Sequence, residues 1–412
     1  MNELYLIKGN SFGGSSMYTC VLSYGFLKDK TEVPIYDPQT KIGYQRKSKP
    51  SRVKAIFSKL VTYFKNPSPL IDSINLNIRN NQLEKTQLTL IDGDGGPGSL
   101  YKMMWPDGDS IKDKFQIVDG QTRFNGVEST YKEYEKNNNH KMMYKVDQLT
   151  FSVNLTFLDA IWDEAYIFIS INKNAKKVDT SLGERVIHEA DLSGNVLFQN
   201  EIKGDKKYIH RRSCNNISDK LAGSSVNWGW PRIKDANEEK VPSPNVTFEA
   251  MSRFIEPVFL ALKEFKENKT NKEIKSQSDI HKLETETLAS IDAFWDAVFE
   301  IYSNIPGNES KYSIQKSSLT EVLFNVHAGI ILHPHVSMSN YNRFKKDDYV
   351  KLLRKPLESS ATLKEKNGNG KSVSGEDFWL SGDDGAAGKY TSSAAKKELT
   401  DNIYKEIITT KP

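Results

Sequence analysis

The chain has 412 residues, 37% of them hydrophobic and 27% charged, with a formal net charge of +4. This composition has a mean hydropathy of −0.58; it excludes a disordered chain, and no run approaches the ~18 consecutive apolar residues that span a bilayer. The length exceeds one compact core, and the two cysteines, Cys20 and Cys214, lack metal-ligand spacing, so neither a disulfide framework nor a structural zinc site is supported.

The N-terminus, Met1 to Lys8, lacks a basic segment followed by a long apolar one, which predicts a cytoplasmic protein. Gly9 to Gly14 is glycine-rich but has no Gly-Lys-Ser/Thr ending and is not a Walker loop. A strand is predicted from Met17 to Leu22. From Lys41 to Lys59 there are seven basic residues and no acid, a run that either contacts a phosphate backbone or is a solvated face. The spacing within it predicts a helix from Ser51 to Phe64. Val53, Ile56, Phe57, Leu60 and Val61 share one face, with Arg52, Lys54 and Lys59 on the other. Pro67 and Pro69 stop this helix, and Ile74, Leu76 and Ile78 then alternate as a half-buried strand.

Residues 92–110 read as one long turn-rich loop. Its Asp-Gly-Asp start suggests calcium, but the fifth and twelfth ligand positions fall on Gly96 and Met103, so no metal site is assigned. Next comes the most informative stretch, Phe115 to Gly126, in which an apolar strand runs through Asp119-Gly120-Gln121-Thr122-Arg123 into an amphipathic helix. Free N–H groups and the dipole at a helix start favour an anion, a glycine lets it approach, and an arginine clamps it. An ordinary turn, with Asp119 as cap and Arg123 in a surface ion pair, accounts for the same residues.

A polar helix to about Asn137 is followed by strict alternation at Leu149, Phe151, Val153, Leu155 and Phe157, which predicts a strand. A helix presenting Leu158, Ile161, Ala165, Phe168, Ile169 and Asn172 is expected to break at Ile171 to Val178 before another from Ser181. A second basic cluster follows at Lys203, Lys206, Lys207, Arg211 and Arg212. From Pro242 onward, apolar periodicity predicts helices over residues 248–265 with a break at Pro257, 289–302 and 317–332. Residues 364–375 read as a flexible loop, and a last helix runs from about Ser393 to Ile408. His327, His333 and His335 complete no ligand set. The expected organisation is an α/β (α+β) mixed-sheet domain over residues 1–200, a mostly helical lobe over 201–363, and a loop with a returning helix over 364–412.

In order, these landmarks resemble the DGQHR-domain family, whose best-known member is the DNA sulfur modification protein DndB and whose fold is ParB/sulfiredoxin-like. Asp119 to Arg123 stands at the signature, with Thr122 in place of the family's histidine. Tyr44-Gln45-Arg46 resembles the upstream Gln-Arg element, and Ile171-Asn172 before Lys176-Lys177-Val178 resembles the downstream Ile-Asn element. Trp379, Leu399-Thr400 and Asn402-Ile403 resemble the C-terminal pattern.

The resemblance implies a nucleotide-binding, ParB-like module that engages DNA within a modification and defence system of phosphorothioate or 7-deazaguanine type. ATP or another nucleoside triphosphate, with magnesium, is the implied cofactor, and hydrolysis is less secure than binding, because threonine cannot carry a proton near neutral pH. Asp119, Gln121 and Arg123 are the candidate catalytic residues; Arg46, Gly120, Thr122 and Asn172 are the candidate nucleotide contacts. Asp119 either caps the helix or binds magnesium. Lys47, Lys49, Arg52, Lys54, Lys206, Lys207, Arg211 and Arg212 are the candidate DNA contacts. Implied partners are DNA, the modification enzymes of the same cluster and a second copy of the chain, with no membrane. The alternatives are a DNA-binding transcriptional regulator without turnover and a protein-protein adaptor.

Overall fold

Alternating apolar residues build a sheet from the first strand onward. In β1 (Asn2–Lys8) Leu4 and Leu6 are buried while Tyr5 and Ile7 are exposed, and β2 (Met17–Ser23) buries Tyr18, Cys20 and Leu22 in the same way. The computed structural model describes residues 2–10, 16–64, 73–79, 87–105, 115–175, 180–202, 206–224, 232–235, 238, 245–333, 342–358 and 363–409. It divides into two compact units, residues 1–200 and 201–412.

The first unit continues with α1 (Tyr24–Leu27), β3 (Thr31–Glu32), α2 (Pro50–Tyr63), β4 (Ile74–Ile78), β5 (Gln87–Asp92), β6 (Leu100–Trp105) and β7 (Phe115–Asp119). It is completed by α3 (Gln121–Lys136), α4 (His140–Asp147), β8 (Thr150–Phe157), α5 (Ile161–Ala175) and α6 (Thr180–Leu192); the division falls within α7 (Val196–Ile202). Among the described residues the sheet has eight strands in the order β3-β7-β4-β8-β2-β1-β6-β5. β3–β7 and β4–β8 are parallel and the other pairs antiparallel, so the sheet is mixed. One face carries Leu6, Ile74, Leu76, Ile117, Phe151 and Leu155, which pack with Leu60 of α2, Phe124 and Val127 of α3 and Val146 of α4. On the other, Val118 packs with Leu158 and with Ile167, Phe168 and Ile171 of α5.

Two expectations are corrected here. Residues 100–105 are a strand rather than loop, because Leu100 to Trp105 pairs with both β1 and β5; the turn before it is confined to residues 93–99. The predicted break at Ile171 does not occur, since α5 continues to Ala175.

The second unit contains α8 (Lys206–Ser224), the parallel pair β9 (Arg232–Lys234) and β10 (Asn245–Thr247), α9 (Phe248–Thr270), α10 (Gln277–Ile301), α11 (Ser317–Leu332), α12 (Lys346–Glu358), β11 (Glu365–Lys366), β12 (Ser372–Val373) and α13 (Ser393–Thr409). α9 runs through Pro257 without the expected break. Phe254, Ile255, Val258 and Phe259, all buried, hold both sides of the proline in the core and offset the lost hydrogen bond. α10 starts twelve residues earlier than its apolar periodicity suggests, at a Ser276 cap whose hydroxyl accepts from the Asp279 N–H at 3.1 Å. Residues 364–375 form no structureless loop: β11 and β12 pair antiparallel, and the buried Asn367 side chain accepts from the N–H groups of Asn369 and Lys371.

The C-terminal landmarks have structural duties. The Trp379 indole donates to the Tyr302 hydroxyl at 3.0 Å, which donates to the Leu357 carbonyl at 2.7 Å, while Leu399, Ile403 and Ile407 enter the helical core. Within that core Ser290, His327 and Tyr349 form a buried hydroxyl-imidazole triangle with edges of 2.7–3.0 Å. The His327 ring lies on Phe294, 4.5 Å between centroids, and burial pushes its pKa down to about 3.

Candidate phosphate site

β7 is buried on both faces from Phe115 to Val118, the polar Gln116 included, and delivers Asp119 to the sheet end. The chain then turns at Gly120, with φ +94°, the left-handed conformation that glycine adopts without strain. A Cβ there would lie 2.5 Å from Cγ2 of Ile74, so a side chain is excluded by space as well as by conformation. Gly120 is the N-cap of α3; no side chain caps the helix, and its first turn holds no acid. Asp119 is therefore not the cap. Its Oδ2 accepts from the Arg123 guanidinium at 3.0 Å, with Asp119 28% and Arg123 26% exposed.

The Tyr44-Gln45-Arg46 segment lies against this strand. β3 pairs only with Phe115 and Gln116, and beyond it the buried Gln45 amide donates to the carbonyls of Ile117 and, at 3.2 Å, Val118, where a longer strand would have done so. The Tyr44 hydroxyl donates at 3.2 Å to Glu164, a fully buried carboxylate on α5 that also accepts from Asn77 at 2.9 Å and from two nitrogens of Arg79 at 2.7 and 3.1 Å. This network anchors the segment leading to Arg46, which is half-buried. Asn172 lies within α5, one residue after Ile171, and its amide donates to the Phe168 carbonyl at 2.8 Å.

α2 and α3 enclose a cleft of about 660 Å³ lined by Ile35, Lys47, Ser48, Pro50, Val53, Lys54, Phe57, Gln121, Asn125, Glu128, Ser129 and Glu133. The helices approach closely because Gly126 has no side chain; a Cβ there would lie 2.4 Å from Cγ2 of Ile56. Pro50 and Gln121, the first residues of the two helices, both line the cleft, and neither helix has a side-chain cap or an acid in its first turn. Two positive dipole ends thus meet Lys47 and Lys54. Of the cleft's two acids, Glu128 is paired with Lys132 at 2.7 Å and Glu133 accepts from the Asn137 amide at 3.1 Å.

The structure joins Gln121, expected in catalysis, with Lys47 and Lys54, expected at DNA. It keeps Asp119 and Arg123 together at the same turn. Thr122 is half-buried in the first turn of α3, and Lys49 and Arg52 are exposed at the start of α2. Lys206, Lys207, Arg211 and Arg212 lie on α8 in the second unit, where Arg211 is exposed and Arg212 half-buried. Sequence reasoning missed Ser48, Asn125 and Ser129. Asn125 donates to the Ser48 hydroxyl at 3.1 Å, and the signal was the polar stripe Gln121, Asn125, Ser129 at helical spacing opposite Phe124 and Val127.

The calcium-like turn is closed by one of its own carboxylates and by a lysine of β1. Asp94 accepts from the Gly96 N–H at 2.9 Å, and the Lys8 ammonium donates to the Gly95 carbonyl at 2.7 Å. Pro67, Pro69, Lys176-Lys177-Val178, Lys203 and His335 lie outside the described residues.

Residues 7–220, just over half the chain and including both the β7–α3 turn and the cleft, match the DndB family, whose description is DNA-sulfur modification-associated. The chain belongs to the DndB family. Membership places this DndB-family chain in the context of DNA sulfur modification. No curated protein and no solved structure matches it. Among the described residues no helix is long and apolar enough to cross a membrane.

Proposed function

We propose that the first unit is a phosphate-binding module of a DNA sulfur modification system, taking a nucleotide at the β7–α3 turn and engaging DNA along the basic start of α2. The observation that carries this reading is the convergence of two uncapped helix starts with Lys47 and Lys54 on one cleft. Gly120 admits the phosphate, Gln121 and Thr122 donate to it, Arg123 pairs with it, and Arg46 and Asn172 flank it. Asp119 is the candidate ligand for magnesium, the ion that a nucleoside triphosphate carries. If ATP is hydrolysed, positioning and charge neutralisation supply the catalysis, with Gln121 orienting the water.

Calorimetry with ATP and CTP tests the nucleotide site. Arg123→Ala and Lys47→Ala are expected to abolish or strongly weaken binding while leaving the melting temperature nearly unchanged, and unchanged affinity in both refutes the assignment.

A second reading, a DNA-binding regulator without turnover, is favoured by one contact: Arg123 already engages Asp119, and Thr122 replaces the signature's proton carrier. Phosphate release from ATP, with and without DNA, decides between them.

A further inference from the structure

The Asp119–Arg123 pair carries a consequence for which ligand the turn accepts. Arg123 is the third residue of α3, at the helix end where a cation is unfavourable, and the first turn offers no acid to offset it. The carboxylate just outside the helix does so, at 3.0 Å. Both partners lie at the water boundary, unlike the Arg79–Glu164 pair, whose carboxylate is fully buried. The turn between them is made by Gly120, in the left-handed conformation and packed closely against Ile74.

We infer that Asp119 is a specificity-determining residue: an internal anion that competes for Arg123 and so makes the turn select the magnesium complex of a polyphosphate over the bare polyphosphate. This rests on the phosphate-site reading above. A phosphate oxygen that accepts from another N–H of the Arg123 guanidinium lies next to the Asp119 carboxylate, a second anion on the same cation. Bare triphosphate meets that repulsion in full. A divalent cation brought with the phosphate lies between the two anions and takes the carboxylate as a ligand, so the same residue that opposes the free ligand favours the complexed one.

The test measures ATP and inorganic tripolyphosphate binding by calorimetry, in magnesium and in EDTA, for the wild type, Asp119→Asn, Asp119→Ser and Arg123→Ala, with a thermal melt for each. The wild type is expected to prefer the magnesium form by about tenfold, and both Asp119 variants to bind the metal-free ligand about fivefold more tightly and lose most of that preference. If the wild type binds but neither Asp119 variant gains affinity for metal-free ligand, the competitor role is wrong while the site stands. If Arg123→Ala binds as well as the wild type, or no form of the protein binds, the site itself is wrong and the inference falls with it.

Discussion

Ile74 occupies the space that a side chain at position 120 would need: its Cγ2 is 2.5 Å from where that Cβ would be. Gly98 provides an internal control, with a φ of +93° but nothing within 4 Å of its missing Cβ. Gly98→Ala is expected to cost about 1 kcal/mol from backbone strain alone. Gly120→Ala adds overpacking of a buried strand and is expected to cost at least ~2 kcal/mol. Urea denaturation of both variants checks this, and equal costs would mean that Ile74 yields to the added methyl group.

The β7–α3 turn was legible because its signal is local: an apolar strand, a glycine and a helix start within twelve residues. The alternating strands β4 and β8 and the amphipathic α2 were legible for the same reason. Glu164 was not, because its partners Tyr44, Asn77 and Arg79 lie 85 to 120 residues away and nothing in the spacing of α5 marks it. Gln45 was visible as part of a motif, but its work, bonding carbonyls that the two-residue strand β3 leaves unpaired, depends on where that strand ends. The long polar start of α10 was hidden because only its later turns carry the apolar stripe.

The Glu164 carboxylate has no exposure, whereas the Arg79 side chain is 28% exposed. Arg79→Met is expected to destabilise the first unit by about 3 kcal/mol, since it leaves a buried charge with only Tyr44 and Asn77 as partners. Adding Glu164→Met should recover part of that loss, because two apolar side chains need no pairing. A double-mutant cycle by chemical denaturation measures the coupling, and strictly additive costs would show that the pair contributes nothing beyond its separate members.

In the second unit, acid acts on stability in opposite directions at His327 and Asp296. Burial holds His327 down at about 3 against an ordinary 6.5, so the unfolded chain takes a proton that the folded chain refuses. Its contribution is complete above about pH 6.5 and is lost as pH falls toward 3, by up to ~1.4 kcal/mol per pH unit. Asp296 is pushed up to about 6, first by burial and then by the neighbouring Asp292, with Lys346 opposing. The folded chain therefore takes that proton first, and this contribution, complete below the ordinary 3.8, is lost as pH rises through 6. Between about pH 4 and 6 the two slopes offset each other. Asp296→Asn weakens the compensation, leaving what Asp292, also raised by burial, supplies, and its stability should fall more steeply on acidification than that of the wild type; parallel curves by urea titration would contradict the opposition.

The basic start of α2 makes a quantitative demand on DNA binding. Lys47, Lys49, Arg52 and Lys54 are exposed, and Lys47 and Lys54 also line the cleft. Each cation that neutralises a phosphate releases counterions, so a plot of log affinity against log salt should be steep for duplex DNA and should flatten by about one for each of Lys49→Ala and Arg52→Ala, whatever the DNA sequence. Lys54→Ala should also weaken nucleotide binding, whereas Lys49→Ala and Arg52→Ala, away from the cleft lining, should leave it intact. The pair Arg211→Ala and Arg212→Ala asks the same of the second unit. A shallow salt slope in the wild type, or one that none of these substitutions changes, would remove α2 and α8 from any DNA interface.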